Sequence, residues 1–293
     1  MQITSSRNPK VKALRSLRLR KVRHREGHFL IEGIRIVEEA LDCEATVETL
    51  VYSPDLLVSD RAQTLVERLE PARRLALSED LFRTLSDRDE PQGIAAVVRI
   101  EDGSLSAIPL SENLLVIVAY QLSDPGNLGT LIRTADAAGA TAVVVVEPSV
   151  DLYDPQTVRA TMGSLFTLPV VRLEDPAALT HWVLQVRATG LSLQVVATSA
   201  HAQQVHFDAD FRHPLLLLLG NERQGLPEAV RDQADLRIRL PMVGRATSLN
   251  VASAGAALVY EVIRQRSYAR KPDKSSEWHR PPFSSSGGGP IVG

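Results

Sequence analysis

Leu215-Leu-Leu-Leu-Leu-Gly-Asn-Glu-Arg-Gln-Gly-Leu-Pro227 and Leu240-Pro-Met-Val-Gly-Arg-Ala-Thr-Ser-Leu-Asn-Val-Ala-Ser-Ala-Gly-Ala-Ala-Leu-Val-Tyr-Glu261 are the two runs that decide the fold. The first begins with five uninterrupted leucines, the pattern of a strand covered on both faces, which belongs to parallel sheets. The second changes from a polar corner to apolar residues at helical spacing, with Val251, Ala254, Leu258, Val259, Val262 and Ile263 on one face. Each run therefore crosses a strand-to-helix corner. Asn221, Glu222, Ser248 and Asn250 stand there as uncommitted polar groups. In an open α/β sheet such corners are where ligands bind.

The same pattern recurs upstream. Leu114-Leu-Val-Ile-Val-Ala, Ala142-Val-Val-Val-Val and Leu193-Gln-Val-Val-Ala read as further buried strands between helix layers, so the expected fold is α/β with a mostly parallel sheet. Before them, residues 27–100 read as a small α/β unit, with strands at Phe29-Leu-Ile, Thr49-Leu-Val-Tyr and Gly93 to Ile100 and helices at 34–41 and 61–69. Residues 101–112 have linker chemistry and residues 271–293 the composition of a disordered tail. The expected organisation is a basic arm at 1–26, the small domain at 27–100, the linker, and a large domain at 113–270.

Charge is distributed unevenly. Residues 1–25 carry nine cations and no carboxylate, leaving 24 of the 33 cations to face all 35 acids in the remainder. That asymmetry suits a polyanion partner, although Val11, Leu14, Leu17 and Val22 also give the segment an apolar side near helical spacing. No apolar run is long enough to span a bilayer, and a lone Cys43 excludes an internal disulfide or CxxC site, which points to the cytoplasm. The phosphate loop, the GxGxxG and GxSxG signatures and HExxH are all absent. His181, His201, His206 and His213 lack ligand spacing, so no metal is expected.

A third corner, Ser123-Asp-Pro-Gly-Asn-Leu-Gly-Thr-Leu-Ile-Arg-Thr-Ala-Asp-Ala-Ala-Gly139, follows the strand at 114–119. Asn127 is placed to cap the helix that follows, and Ser248 to cap the helix after the last corner. Arg133 sits on a helix of small and apolar residues, within reach of the same crevice as Asn127. Gly220 and Gly225 bracket a polar loop and would let backbone approach a ligand closely.

Together the three corners, DPGNLGTLIRTADAAG, LLGNERQGLP and LPMVGRATSLNVASAGAALVYE, resemble the SpoU (TrmH-like) family of RNA ribose 2'-O-methyltransferases within the SPOUT superfamily. Thr4-Ser-Ser-Arg-Asn-Pro and Phe29-Leu-Ile-Glu-Gly-Ile-Arg likewise resemble that family's ribosomal-protein-like substrate-binding domain. The resemblance implies a C-terminal trefoil knot, S-adenosylmethionine held within it by Gly220, Leu240, Met242 and Leu249, and a homodimer packed through the knots. It also implies catalytic roles for Asn127, Arg133, Glu222, Ser248 and Asn250, with Arg133 activating the ribose hydroxyl. A guanidinium stays protonated near neutrality and is a poor base there, which favours stabilisation of the developing oxyanion instead.

The substrate so implied is RNA, with 23S ribosomal RNA preferred because of the appended small domain. Transfer RNA is the alternative substrate. A non-catalytic RNA-binding assembly factor is the alternative class, and it predicts damage at motif positions that are all intact here. Arg223 and Arg245-Ala-Thr247 depart from the family pattern and add positive charge on the expected RNA side.

Overall fold

The computed structural model describes residues 2–269. The segment expected to be a disordered tail lies outside the described residues.

The basic segment at the start of the chain holds two short helices. α1 (Pro9–Ser16) and α2 (Arg20–Glu26) precede a four-stranded sheet of β1 (His28–Glu32), β2 (Val47–Tyr52), β3 (Arg74–Ala76) and β4 (Ile94–Arg99). The sheet order is β1-β4-β2-β3, antiparallel except for the β2–β3 pair. Three helices complete this unit: α3 (Ile34–Asp42), α4 (Asp60–Glu67) and α5 (Glu79–Leu85). Val11 and Leu14 of α1 are buried against Leu75, Leu77 and Phe82, because the apolar side of the basic segment meets the β3–α5 face. Lys10 and Lys12 of α1 are left exposed on the other side.

The large unit is built on β5 (Leu115–Tyr120), β6 (Ala142–Val146), β7 (Val170–Leu173), β8 (Gln194–Thr198), β9 (Gln204–Val205), β10 (Leu215–Leu219) and β11 (Leu236–Arg239). All pairs are parallel, in the order β7-β6-β5-β10-β8-β11-β9. The five leucines of β10 are each at most 3% exposed, for β10 lies between β5 and β8 under helices on both faces. Each such burial is worth roughly 2 kcal/mol, so a polar residue anywhere in this strand would be severely destabilising.

The covering helices are α6 (Pro125–Ala137), α7 (Pro155–Thr161), α8 (Ser164–Thr167), α9 (Ala177–Ala188), α10 (Glu228–Asp232) and α11 (Val251–Ala269). Two glycines set the closest approaches. A Cβ on Gly129 of α6 would lie 2.4 Å from the Thr157 carbonyl oxygen of α7, and one on Gly255 of α11 would lie 2.6 Å from Leu131 Cδ1 of α6. The small-residue run 252–257 thus seats α11 on α6 and β10.

The two units share one continuous apolar core, in which the rings of Phe29 and Tyr153 stand 4.8 Å apart. The connecting stretch is also packed, with Ile108 buried beneath the large sheet. Among the described residues no helix is long and apolar enough to cross a membrane.

Candidate active site

β5 leads to β6 and β7 on one side of the large sheet, whereas β10 and β8 lie on its other side. The carboxyl ends of β5 and β10 therefore flank the switch point where an open sheet binds ligands. Both polar corners start there.

The loop after β10 is braced by its own backbone. Asn221 and Gly225 exchange main-chain hydrogen bonds, and the Asn221 side chain accepts from the amides of Arg223 and Gln224 while donating to the Gln121 carbonyl at 2.6 Å. Gly225 has φ +68°, and a Cβ on Gly220 would lie 2.4 Å from Leu226 N. Gly220 is thus demanded by the loop folding onto itself rather than by a ligand's approach. Gly220→Ala is expected to cost about 1–3 kcal/mol through overpacking, and an unchanged urea-denaturation midpoint would show that the loop yields freely.

Glu222 joins this loop to α6. One carboxylate oxygen accepts from Ser123 N (3.0 Å) and Ser123 Oγ (2.8 Å), the other from Asp124 N (3.3 Å) and Asn127 Nδ2 (3.0 Å). Partial burial pushes its pKa up, but the bonds from Asn127 and Ser123 outweigh burial and hold it below the ordinary value. The Asn127 amide then accepts from Asn250 Nδ2 at 2.7 Å. A relay of Glu222, Asn127 and Asn250 ties all three corners together.

The helix caps differ from those expected. Asp124, not Asn127, caps α6, accepting from Asn127 N at 2.7 Å. Asn250, not Ser248, caps α11 through the amides of Ala252 and Ser253. Any side-chain oxygen in such a turn can serve as the cap, and the residues nearest the first free amides of each helix win. Asn127 is thereby released to make the inter-corner bonds.

Two clefts meet at this relay. One, of about 650 Å³, is lined by Gly220, Leu240, Met242 and Leu249 together with the loop Thr198–His201, Leu226 and Val251. The other, of about 960 Å³, is lined by Asn127, Glu222, Ser248 and Asn250, with Pro148, Ser149 and Val150 forming part of its wall. Asn221 to Gln224, Ser248 and Leu249 belong to both. Ser248 is exposed on that shared rim and makes no hydrogen bond within the described residues.

Arg133 is the exception. It is exposed on α6 and lines neither cleft. At about 100° per residue, its six-residue separation from Asn127 leaves the two side chains about 120° apart around the helix. The structure therefore does not bring Arg133 to the relay of its own chain, contrary to the sequence expectation. The motifs did not single out Ser123, the Thr198–His201 loop, or Arg231, whose buried Nε has no partner where the side chain lines the smaller cleft. Ser123 and Asp124 open the corner stretch 123–139, whereas nothing around Arg231 signals a site. Among the described residues no group of His, Cys, Asp and Glu could hold a metal ion.

A parallel sheet with paired clefts at its switch point is the arrangement of α/β proteins that bind a small organic ligand beside a second substrate. Residues 114–260 match the SpoU rRNA Methylase family and residues 8–96 the MRM3-like substrate binding domain; the chain belongs to the SpoU rRNA methylase family. It is 39% identical over 84% of its length to a 23S rRNA (uridine(2479)-2'-O)-methyltransferase of Streptomyces viridochromogenes, covering 86% of that protein. It is 37% identical over 89% of its length to a 23S rRNA (guanosine(2553)-2'-O)-methyltransferase of Bacillus subtilis (strain 168), covering 98% of it. Among solved structures, the SpoU methyltransferase AviRb from S. viridochromogenes in complex with the cofactor AdoMet superposes with a TM-score of 0.84 at 37% identity, over 89% of this chain and 98% of that one.

Proposed function

We propose that this protein transfers a methyl group from S-adenosylmethionine to a ribose 2'-hydroxyl of 23S ribosomal RNA. The observation that carries the reading is the pair of clefts sharing one rim, with the Glu222–Asn127–Asn250 relay beside it. Methyl transfer needs donor and acceptor in line, which two adjoining clefts provide. S-adenosylmethionine supplies an electrophilic methyl group on a sulfonium.

The smaller cleft fits that group. Its volume lies in the range of cofactor sites, Leu219, Leu226, Leu240 and Val251 offer an apolar wall for a base, and the unpartnered Arg231 Nε offers a donor to one of its acceptors. Gly220, Leu240, Met242 and Leu249 keep the role that the resemblance implies. Glu222, depressed in pKa, is a weak proton acceptor and serves as the charged anchor of the relay. Ser248 and Asn250 hold the rim that separates the two ligands.

The C-terminal knot of the family would account for Leu240, Met242 and Thr247 to Leu249 lining the same cleft as residues 220–226 before α11 returns onto α6. A homodimer accounts for two further features, the exposed Arg133 and the exposed Tyr260 on α11. In that dimer Arg133 of the second copy would complete the site, its guanidinium stabilising charge on the 2'-oxygen. The small domain, with Arg7, Lys10, Lys12 and Lys21 exposed along its basic segment, would hold structured RNA by shape and phosphate contacts. A ribosomal substrate places the work in the cytoplasm.

The two relatives' named targets differ in base and position, so the choice of nucleotide belongs to parts of the chain that vary, with Arg223 at the shared rim the first candidate. Incubation with labelled S-adenosylmethionine and fractionated RNA tests the reading. One labelled ribose in 23S RNA is expected. Label confined to transfer RNA would replace the substrate, and absence of S-adenosylmethionine binding in a calorimetric titration would leave only an RNA-binding protein.

A further inference from the structure

A basic helix on a small domain would ordinarily keep its charges in water. Arg23 of α2 does the opposite, being only 2% exposed, and a buried guanidinium persists only when fully partnered. Its partner lies in the other unit, 128 residues away. Arg23 Nε donates to Asp151 Oδ2 at 3.1 Å and Nη2 donates to the same oxygen, while Nη1 donates to the carbonyls of Leu17 (2.9 Å) and Arg18 (2.7 Å). Asp151, 5% exposed, also accepts from Tyr153 N, and His24 Nε2 stands 3.4 Å from its second oxygen.

Asp151 closes the loop that leaves β6. At the start of the same loop, Glu147 Oε1 lies 3.4 Å from Arg20 Nη2, one turn earlier on α2, and 3.5 Å from Arg172 Nη2. Between these two anchors, Pro148, Ser149 and Val150 form a wall of the larger cleft, which Asn127, Glu222 and Asn250 also line. Val150 N donates to the Leu122 carbonyl at 2.8 Å and Ser149 N to Glu147 at 2.6 Å, so the wall has no slack. One short helix of the small domain thus grips the wall of the larger cleft at both ends.

We infer that Arg23, with Arg20, is a positioning residue for methyl transfer: the α2 latch sets the register between RNA held by the small domain and the ribose offered in the cleft. The inference rests on the function proposed above. A purely structural role is the competing account, and a buried ion pair is weak evidence for stability, since well-packed apolar residues often replace one without loss. Setting register is the better-attested use of such a pair. The latch touches no reacting atom. Its effect should therefore appear in kcat and in which ribose is methylated, with cofactor affinity spared.

The test compares the full-length wild type with Arg20→Ala, whose side chain is half exposed, and with Arg23→Met/Asp151→Leu, which replaces both buried charges together. Wild-type transfer from S-adenosylmethionine to 23S RNA is established first, and its absence would remove the functional reading and this inference with it. With wild-type transfer in hand, S-adenosylmethionine affinity is expected to stay within about twofold, while kcat in the double variant falls about tenfold or more and methyl groups appear at neighbouring riboses. Hydrogen exchange at Ser149 and Val150 should quicken in both variants while β5 and β10 stay protected. A folded double variant that methylates the same single ribose at the wild-type kcat would overturn the latch. If the double variant does not fold, Arg20→Ala decides, and unchanged kcat, site choice and exchange in it would be equally fatal.

Discussion

Glu222→Gln is expected to slow methyl transfer by roughly 10²-fold while leaving the protein folded. The carboxylate accepts four donors, two on each oxygen, and an amide can present only one oxygen. Whichever way the glutamine is turned, two donors face an NH2 group. With charge-assisted bonds worth about 1.5–3 kcal/mol, a net loss near 3 kcal/mol in the geometry that aligns the cleft corresponds to that rate. Single-turnover methyl transfer measures it. The pH behaviour follows from the depressed pKa: a carboxyl held below its ordinary value keeps its interactions at and above that value and loses them as pH falls through the lower one. The wild-type rate should therefore show no limb from Glu222 above about pH 5. A limb near neutrality that vanishes in Glu222→Gln would make Glu222 a proton carrier and sink the anchoring role.

How much of this site could be read in the chain depends on the range of each interaction. The apolar strands and polar corners are local patterns, so β5, β6, β8 and β10 and the corner residues Asn127, Glu222 and Asn250 were legible, and the structure joins those three residues in one relay. The caps were not, because Asp124 and Asn127, like Ser248 and Asn250, are all competent acceptors and only the backbone path selects among them. The placement of β10 between β5 and β8 also depends on contacts across the whole domain. Arg23 is the extreme case. In the chain it is one of nine cations in a basic segment, and only an aspartate 128 residues away makes it a buried latch. Arg133 is different again, since helical periodicity alone separates it from Asn127 by about 120°. Shared membership of a motif does not imply a shared face within one chain.

That separation, taken with the homodimer proposed above, leads to a result expected of mixed dimers. Arg133→Ala should lower kcat by about 10²–10³-fold, the cost of removing a preorganised donor from a developing oxyanion, with S-adenosylmethionine affinity retained because Arg133 lines neither cleft of its own chain. Arg133→Lys discriminates further: near-complete retention of kcat would mean that generic positive charge suffices and would dismiss a guanidine acting as base. The decisive measurement pairs an Arg133→Ala subunit with a Glu222→Gln subunit, each carrying a different purification tag. In a two-fold dimer, a residue of one subunit meets its counterpart surface on the other. If Arg133 serves the partner's cleft, one of the two sites in the mixed dimer contains both damaged positions and the other contains neither. The mixed dimer should then recover about half of the wild-type rate, although each parent homodimer is nearly inactive. If Arg133 served its own chain, every site in the mixed dimer would carry one lesion, and the rate would stay at the level of the parents. No recovery in a verified mixed dimer would therefore return Arg133 to its own chain and require α6 to turn by about a third of a circle on binding RNA.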